Sequence, residues 1–335
     1  MLLAKFYFKL FFINIDIYID STIIIHDDYY INNYLEKLSI IGNGRENSIL
    51  EFSNKLNKFY FSENVQEIEL KNITIIGNLF FDNNIKVNLD SISISGYIDS
   101  NFEKQNEKIK MYNVLYNGTL SSNNNKCINL GGNIEIEKSK FYGNWLCKER
   151  LLKFNGLNKY NISIKNSYFS GEYQCSGLII DKGNLVDIDS CVFEKVFNSN
   201  NDLEGTGIKI INSKTFIRYS TFKNIYGVNV GGALYMDNVY EFEADHLDIN
   251  NVTSSSGSFA YITSELTTST SKFRNIRQYN SDFIGFQTIE GFFLHIEGNN
   301  EVTLDNYYAE NINNLSYSFN FNAIWIEGQS HLTIR

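Results

Sequence analysis

The sequence predicts an all-β fold, a parallel β-helix (β-solenoid) of about eleven coils with three short strands per coil. Three observations carry that expectation. A short phrase returns eleven times, Gly or Asn follows two positions after its last inward residue in ten of the eleven copies, and a further apolar ladder recurs between copies.

The phrase reads IELKNITIIG from Ile68, VNLDSISISG from Val87, IEIEKSKFYG from Ile134, ISIKNSYFSG from Ile162 and VDIDSCVFEK from Val186. It is a strand, a bend at a polar pair, and a second strand. Alternation with period two buries one face and wets the other. Its last inward residue falls at Ile40, Ile75, Ile94, Leu115, Phe141, Phe169, Phe193, Phe222, Ile249, Phe273 and Ala309. That spacing, about 27 residues, lies in the range of solenoids and propellers.

The Gly or Asn after each anchor tolerates a left-handed backbone and makes a sharp corner. The third ladder recurs as LLKF from Leu151, GLII from Gly177, GIKII from Gly207, GGALY from Gly231 and FAYI from Phe259. A propeller blade needs four antiparallel strands joined by hairpins, and three strands per period do not supply one. No sustained three-and-four spacing supports helices.

Stacking coils at about 4.8 Å superposes equivalent side chains. Phe141, Phe169, Phe193 and Phe222 are then expected as an internal column of rings. Ser139, Ser167, Cys191 and Ser220 form a parallel polar column whose hydroxyls bond one another, with Cys191 a free buried thiol.

The repeat runs almost end to end, so residues 21–335 read as one elongated domain, after a segment 1–20 that is either an amino-terminal cap or a degenerate signal-like stretch. Lys5 and Lys9 precede LFFINI there, but Lys9 interrupts the apolar run and no small-residue cleavage site follows. No run reaches the eighteen or so apolar residues of a membrane span. A net charge of −9 provides no basic patch for nucleic acid. Proline is absent, which suits a ladder where every N–H donates, and equally suits the Asn-, Ile- and Lys-rich bias of an AT-rich coding sequence. Five sequons, at Asn72, Asn117, Asn161, Asn251 and Asn314, fit a secreted chain and are also what an Asn-rich chain produces by chance.

Cys147 and Cys175 each follow their anchor by six residues, which places them at one height in adjacent coils and predicts a disulfide between them, two neighbouring reduced thiols being the alternative. Cys127 has no partner at matching phase, and no cysteine pair has the spacing of a zinc site. The closing HLTIR opens another phrase, with Ile334 at the anchor, so the chain is expected to be a fragment or to end on an open coil.

Stacked three-strand coils with Asn or Gly at a corner and internal Phe, Ile and Ser ladders resemble the right-handed parallel β-helices of the pectin lyase-like superfamily. GGAL from Gly231 and FYGN from Phe141 are also similar to the short repeats of polymorphic outer membrane proteins, adhesins on the same helix. The superfamily resemblance implies polysaccharide lyase or glycoside hydrolase chemistry as one outcome. The hydrolase motifs Asn-Thr-Asp, Gly-His-Gly and Arg-Ile-Lys are missing, and the only Asp-Asp pair, Asp27 and Asp28, precedes the first clear coil.

One outward row could carry chemistry: Asp187 and Asp189 on one coil, Arg218 on the next, Glu243 and Asp245 with His246 on the third. Carboxylates around a guanidinium can grip a sugar acid through a bridging ion, and the alternative is a charged outer wall in which Arg218 pairs across coils. His26, His295 and His331 are scattered in phase, and no metal site can be assembled from them. Trp145 and Trp325 can stack on sugar rings if exposed, Trp325 being otherwise wall packing.

The missing motifs favour a non-catalytic extracellular or cell-surface protein with no catalytic residues and no cofactor, acting as an adhesin, a carbohydrate-binding surface or a spacer. The alternative is a polysaccharide-processing enzyme, pectate lyase-like or glycoside hydrolase-like, that uses the acidic row, with Ca²⁺ relevant only in that case. A polysaccharide or cell-surface glycan is the expected partner either way.

Overall fold

A computed structural model describes residues 13–103, 107–120, 127–148, 150–198, 204–316 and 321–335, without the side chains of 266 and 267. Its described residues form strands and no helix, wound into a β-solenoid of about eleven turns. Each strand pairs in parallel with the equivalent strand one coil away, which generates three ladders. Along the first ladder, Ile134, Ile162 and Val186 stand in register. Along the second, Phe141, Phe169, Phe193 and Phe222 do, and along the third Leu152, Leu178, Ile208 and Leu234.

The bend inside the phrase is the polar pair itself. One residue of each pair takes a left-handed φ near +50°, as at Asn72 (54°), Ser91 (54°), Lys138 (50°), Asn166 (50°), Ser190 (55°) and Asn275 (54°). Asn pays least for that conformation. A second left-handed corner follows the anchor at Lys195, Asn224 and Asn251, where a corner is expected. From Glu241 onward the strands Glu241–Thr253, Ala260–Phe283 and Leu294–Asn314 run through these corners unbroken.

The aromatic column is present. Ring centroids lie 4.8 Å apart for Phe141 and Phe169, 5.2 Å for Phe169 and Phe193, and 5.0 Å for Phe193 and Phe222, with planes within 16° of parallel. The serine column differs in its bonding. Ser139, Ser167 and Ser220 each donate to the carbonyl two residues earlier, at 2.7 to 2.9 Å, and accept an N–H from the coil before: those of Val114, Ser139 and Cys191 respectively. Backbone partners are closer than the next hydroxyl, so they win. Cys191 is a free buried thiol, as expected, and burial pushes it up to about 12.

Four anchors shift. Tyr116, not Leu115, stands opposite Ile94 and Phe141. Ile40, Phe273 and Ile334 belong to the first ladder, opposite Leu70, Leu304 and again Leu304. Around Ile40 and Phe273 the first strand is as apolar as the second, so alternation alone does not tell them apart.

The disulfide joins Cys127 to Cys147, with Cα atoms 5.3 Å apart, and not Cys147 to Cys175. The anchor is the wrong reference there. Phe141 precedes its third-ladder strand by eleven residues and Phe169 by nine, so equal distance from the anchor gives unequal position in the loop. The longer loop folds Cys147 back to the preceding coil. Cys175 instead turns inward: a Cβ on Gly143 would lie 2.2 Å from its sulfur, so the thiol fills the space that glycine leaves. Burial pushes Cys175 up to about 12, against the pull of Arg150. Non-reducing peptide mapping is expected to recover the Cys127–Cys147 link, with Cys175 alkylated only after unfolding; a Cys147–Cys175 peptide is the contrary result.

Candidate functional site

The acidic row predicted on the first ladder divides into separately neutralised groups. Arg218 reaches Asp187 at 2.7 Å and Asp189 at 3.9 Å, and Lys165 lies 3.7 Å from Asp187. Phe216 stands between Asp187 and Glu243 in the ladder. Glu243 is held by Lys272 and Arg274, each at 3.2 Å, and Asp245 by His246 and Asn275, each at 2.9 Å. Two carboxylates gather at Arg218, Glu243 faces two cations of the next coil, and Asp245 is held by its neighbour His246 and by an amide of the next coil. Trp145 is exposed, 66 % of its surface open to solvent.

A denser arrangement lies on the outer face of the third ladder. Register places Lys209, Tyr235, Tyr261, His295 and Trp325 in one column. Two residues further along each strand, Asp237, Thr263 and Glu297 form a second column, which Glu327 extends after Ile326. The inward partners, Leu234, Ala260, Leu294 and Met236, Ile262, Ile296, are buried, and this fixes which side chains face out. His295 is therefore in phase with the aromatic residues, a correction to its apparent scatter, and Trp325 continues the same outer column, half-buried.

The rings of Tyr235 and Tyr261 are 5.5 Å apart and 8° from parallel; those of Tyr261 and His295 are 4.4 Å apart at 23°. Rings stacked along the helix axis turn their faces to one another and their edges outward. Their polar ends then hold carboxylates. Tyr261 donates its hydroxyl proton to Glu297, and the Trp325 indole N–H donates to Glu327. Lys209 Nζ binds Glu204 Oε2 at 2.6 Å and lies 4.8 Å from the Tyr235 ring centre. Burial, more than the nearby Glu204 and Glu297 respectively, raises the phenol pKa of Tyr235 and Tyr261, so both remain proton donors.

Asp237 is the unusual carboxyl. Burial raises its pKa above the ordinary 3.8, and Glu204 and Glu265 add to the effect while Lys209 and the 2.7 Å hydrogen bond from Asn238 oppose it. His295 is 3 % exposed, and burial lowers its pKa against the field of Glu327, Glu290 and Glu297. Its Nδ1 lies 2.5 Å from Ser256 Oγ, whose own proton goes to the Glu290 carbonyl at 2.9 Å. With the Ser256 proton so committed, Nδ1 is the imidazole nitrogen that donates, to Ser256 Oγ.

These groups are distant in sequence, and their signal was the outward positions of the third strands: Tyr235 and Asp237 in ALYMD, Tyr261 in AYIT, His295 and Glu297 in LHIE, Trp325 and Glu327 in IWIE. Inward residues set the register, and outward ones become legible once it is set.

No family model and no curated protein matches the sequence. Among solved structures, the fold superposes on a variant of a GH87 alpha-1,3-glucanase catalytic domain in complex with tetrasaccharides, at TM-score 0.52 and 11 % identity, covering 96 % of this chain and 63 % of that one. The Agl-KA catalytic domain follows at TM-score 0.49 and 16 % identity, covering 96 % and 62 %. The chain thus spans about three fifths of the length of the structures it matches. The likeness to the glucanase catalytic domain bears out the right-handed β-helix expected from the sequence. The non-catalytic role expected there is corrected by the matched structure, which is a catalytic domain.

Proposed function

We propose that the chain is a glycoside hydrolase acting on a neutral polysaccharide laid across the outer face of the third ladder. The observation that carries this reading is the column of Asp237, Thr263 and Glu297 beside the stacked Tyr235, Tyr261 and His295, in which one carboxyl is biased to stay protonated. Asp237 is the proton donor to the glycosidic oxygen, and Glu297, oriented by Tyr261, takes a proton from the attacking water as the C–O bond breaks. The two residues stand two coils apart, about 10 Å at the backbone. A separation of that order is compatible with the roughly 6.5–9.5 Å of an inverting hydrolase, which leaves room for the water.

Glu297 and Glu327 repel a polyuronate, which favours a neutral chain over the pectate-like substrate. The shared fold makes α-1,3-glucan the first polymer to test. A disulfide fits export to an oxidising compartment, so an extracellular or cell-surface location belongs to the same reading.

The test is release of reducing ends from α-1,3-glucan, other neutral glucans and polygalacturonate. Turnover of a neutral glucan that falls about 10²- to 10⁴-fold in both Asp237→Asn and Glu297→Gln supports the assignment. No turnover of any of these polymers, or turnover indifferent to both substitutions, defeats it.

A further inference from the structure

Arg150 is 5 % exposed, lies two residues before the third-ladder strand Leu152–Asn155, and has no place in the chemistry above. Its guanidinium spans 54 residues to donate Nη2 to the Glu204 carbonyl, and Nη1 to the Gly205 carbonyl. Burying an arginine costs free energy that two neutral carbonyls repay only if their position matters or the packing leaves no alternative. The Glu204 carboxylate emerges from that clamped segment to meet Lys209, beside Tyr235 and Asp237. Gly205 is pressed there so closely that a Cβ would stand 2.6 Å from Tyr235 Cβ. Three residues before Arg150, the Cys127–Cys147 bridge ties its own segment to the preceding coil.

We propose that Arg150 is a positioning residue: by gripping the Glu204 and Gly205 carbonyls it fixes the Glu204 carboxylate against Lys209, so that Glu204 stands near Asp237 and Lys209, paired with Glu204, pulls on Asp237 only from a distance instead of forming an ion pair with it. This rests on the hydrolase reading for what Asp237 does, but its geometry stands apart from that reading. The planar fork is required, since an ammonium group cannot hold two carbonyls in fixed directions.

The charged groups facing Asp237 are Lys209, Glu204 and Glu265. Releasing Glu204 removes a negative neighbour and frees Lys209 to pair with Asp237, and both changes favour the ionised carboxylate. The experiment is the titration midpoint of Asp237, followed by ¹³C carboxyl NMR in the whole chain, for wild type, Arg150→Lys, Arg150→Met, Glu204→Gln and the Arg150→Lys/Glu204→Gln double variant, each checked for native far-UV circular dichroism. Either folded Arg150 variant is expected to lower the midpoint by roughly 0.5–1 pH unit. Glu204→Gln should do the same, and the double variant no more than either single. An unmoved midpoint in a folded Arg150 variant, or single shifts that add in the double, overturns the proposal. Failure of the wild type to hydrolyse any polysaccharide defeats the hydrolase reading and leaves this titration to decide the role of Arg150.

Discussion

Replacing Phe169 by Ala is expected to lower stability by about 3–5 kcal/mol, read as a drop in the urea midpoint at unchanged slope. Its ring is 1 % exposed and stacks on Phe141 at 4.8 Å and Phe193 at 5.2 Å. Truncation leaves a cavity that neither neighbour can fill, because the coil spacing fixes where their backbones stand. Phe216 on the outer face of the first ladder is the control. It is half-buried, with Lys214 5.4 Å from its ring centre, and its loss is expected to cost about 1 kcal/mol or less. Equal costs at the two positions would mean that the internal column does not hold the coils together.

Asp237→Asn is expected to remove about 10²- to 10⁴-fold of the turnover of a neutral glucan and to erase one limb of its pH profile. The acid form donates the proton, so the wild-type rate falls as pH rises through the Asp237 midpoint. That limb lies above the ordinary carboxyl value of 3.8, since burial and Glu204 hold the proton on. Stability changes with pH in the same direction as the rate. A carboxyl that binds its proton more tightly folded than unfolded makes the fold less stable as pH climbs from the unfolded midpoint through the folded one. Asp237→Asn should therefore be more stable than wild type at neutral pH while being less active. Loss of activity and of stability together would point to a structural role instead.

The repeat was legible because burial enforces it. Phe141, Phe169, Phe193 and Phe222 must face inward at equal spacing, and a period of two exposes that directly. Errors arose where the constraint slackens: Leu115 beside Tyr116, where two adjacent apolar residues compete for one inward position, and Cys147, where a loop two residues longer than its neighbour breaks the phase. The polar bend residues such as Asn72, Ser91 and Ser190 showed no preference strong enough to identify the left-handed corner, because the second corner shares its Asn. The site was harder to read. Asp237 and Glu297 occupy outward positions where any polar residue folds, and only register across coils as far apart as Tyr235 and Trp325 brings them to one face, while Glu204 lies outside the strands. The first-ladder row at Asp187 was visible for the opposite reason. Beside it, Lys165, Asp189, Arg218, Asp245 and Arg274 alternate in sign from coil to coil, as the ion pairs of an outer wall do.

The most direct test sets the two faces against each other: reducing-end release from a neutral glucan by Asp237→Asn and by Asp187→Asn, assayed side by side with wild type. Loss in Asp237→Asn with near wild-type turnover in Asp187→Asn is the predicted result, because Asp187 is neutralised by Arg218 and Lys165 on the first ladder. Full turnover in Asp237→Asn, or loss confined to Asp187→Asn, would contradict the placement of the chemistry on the third ladder.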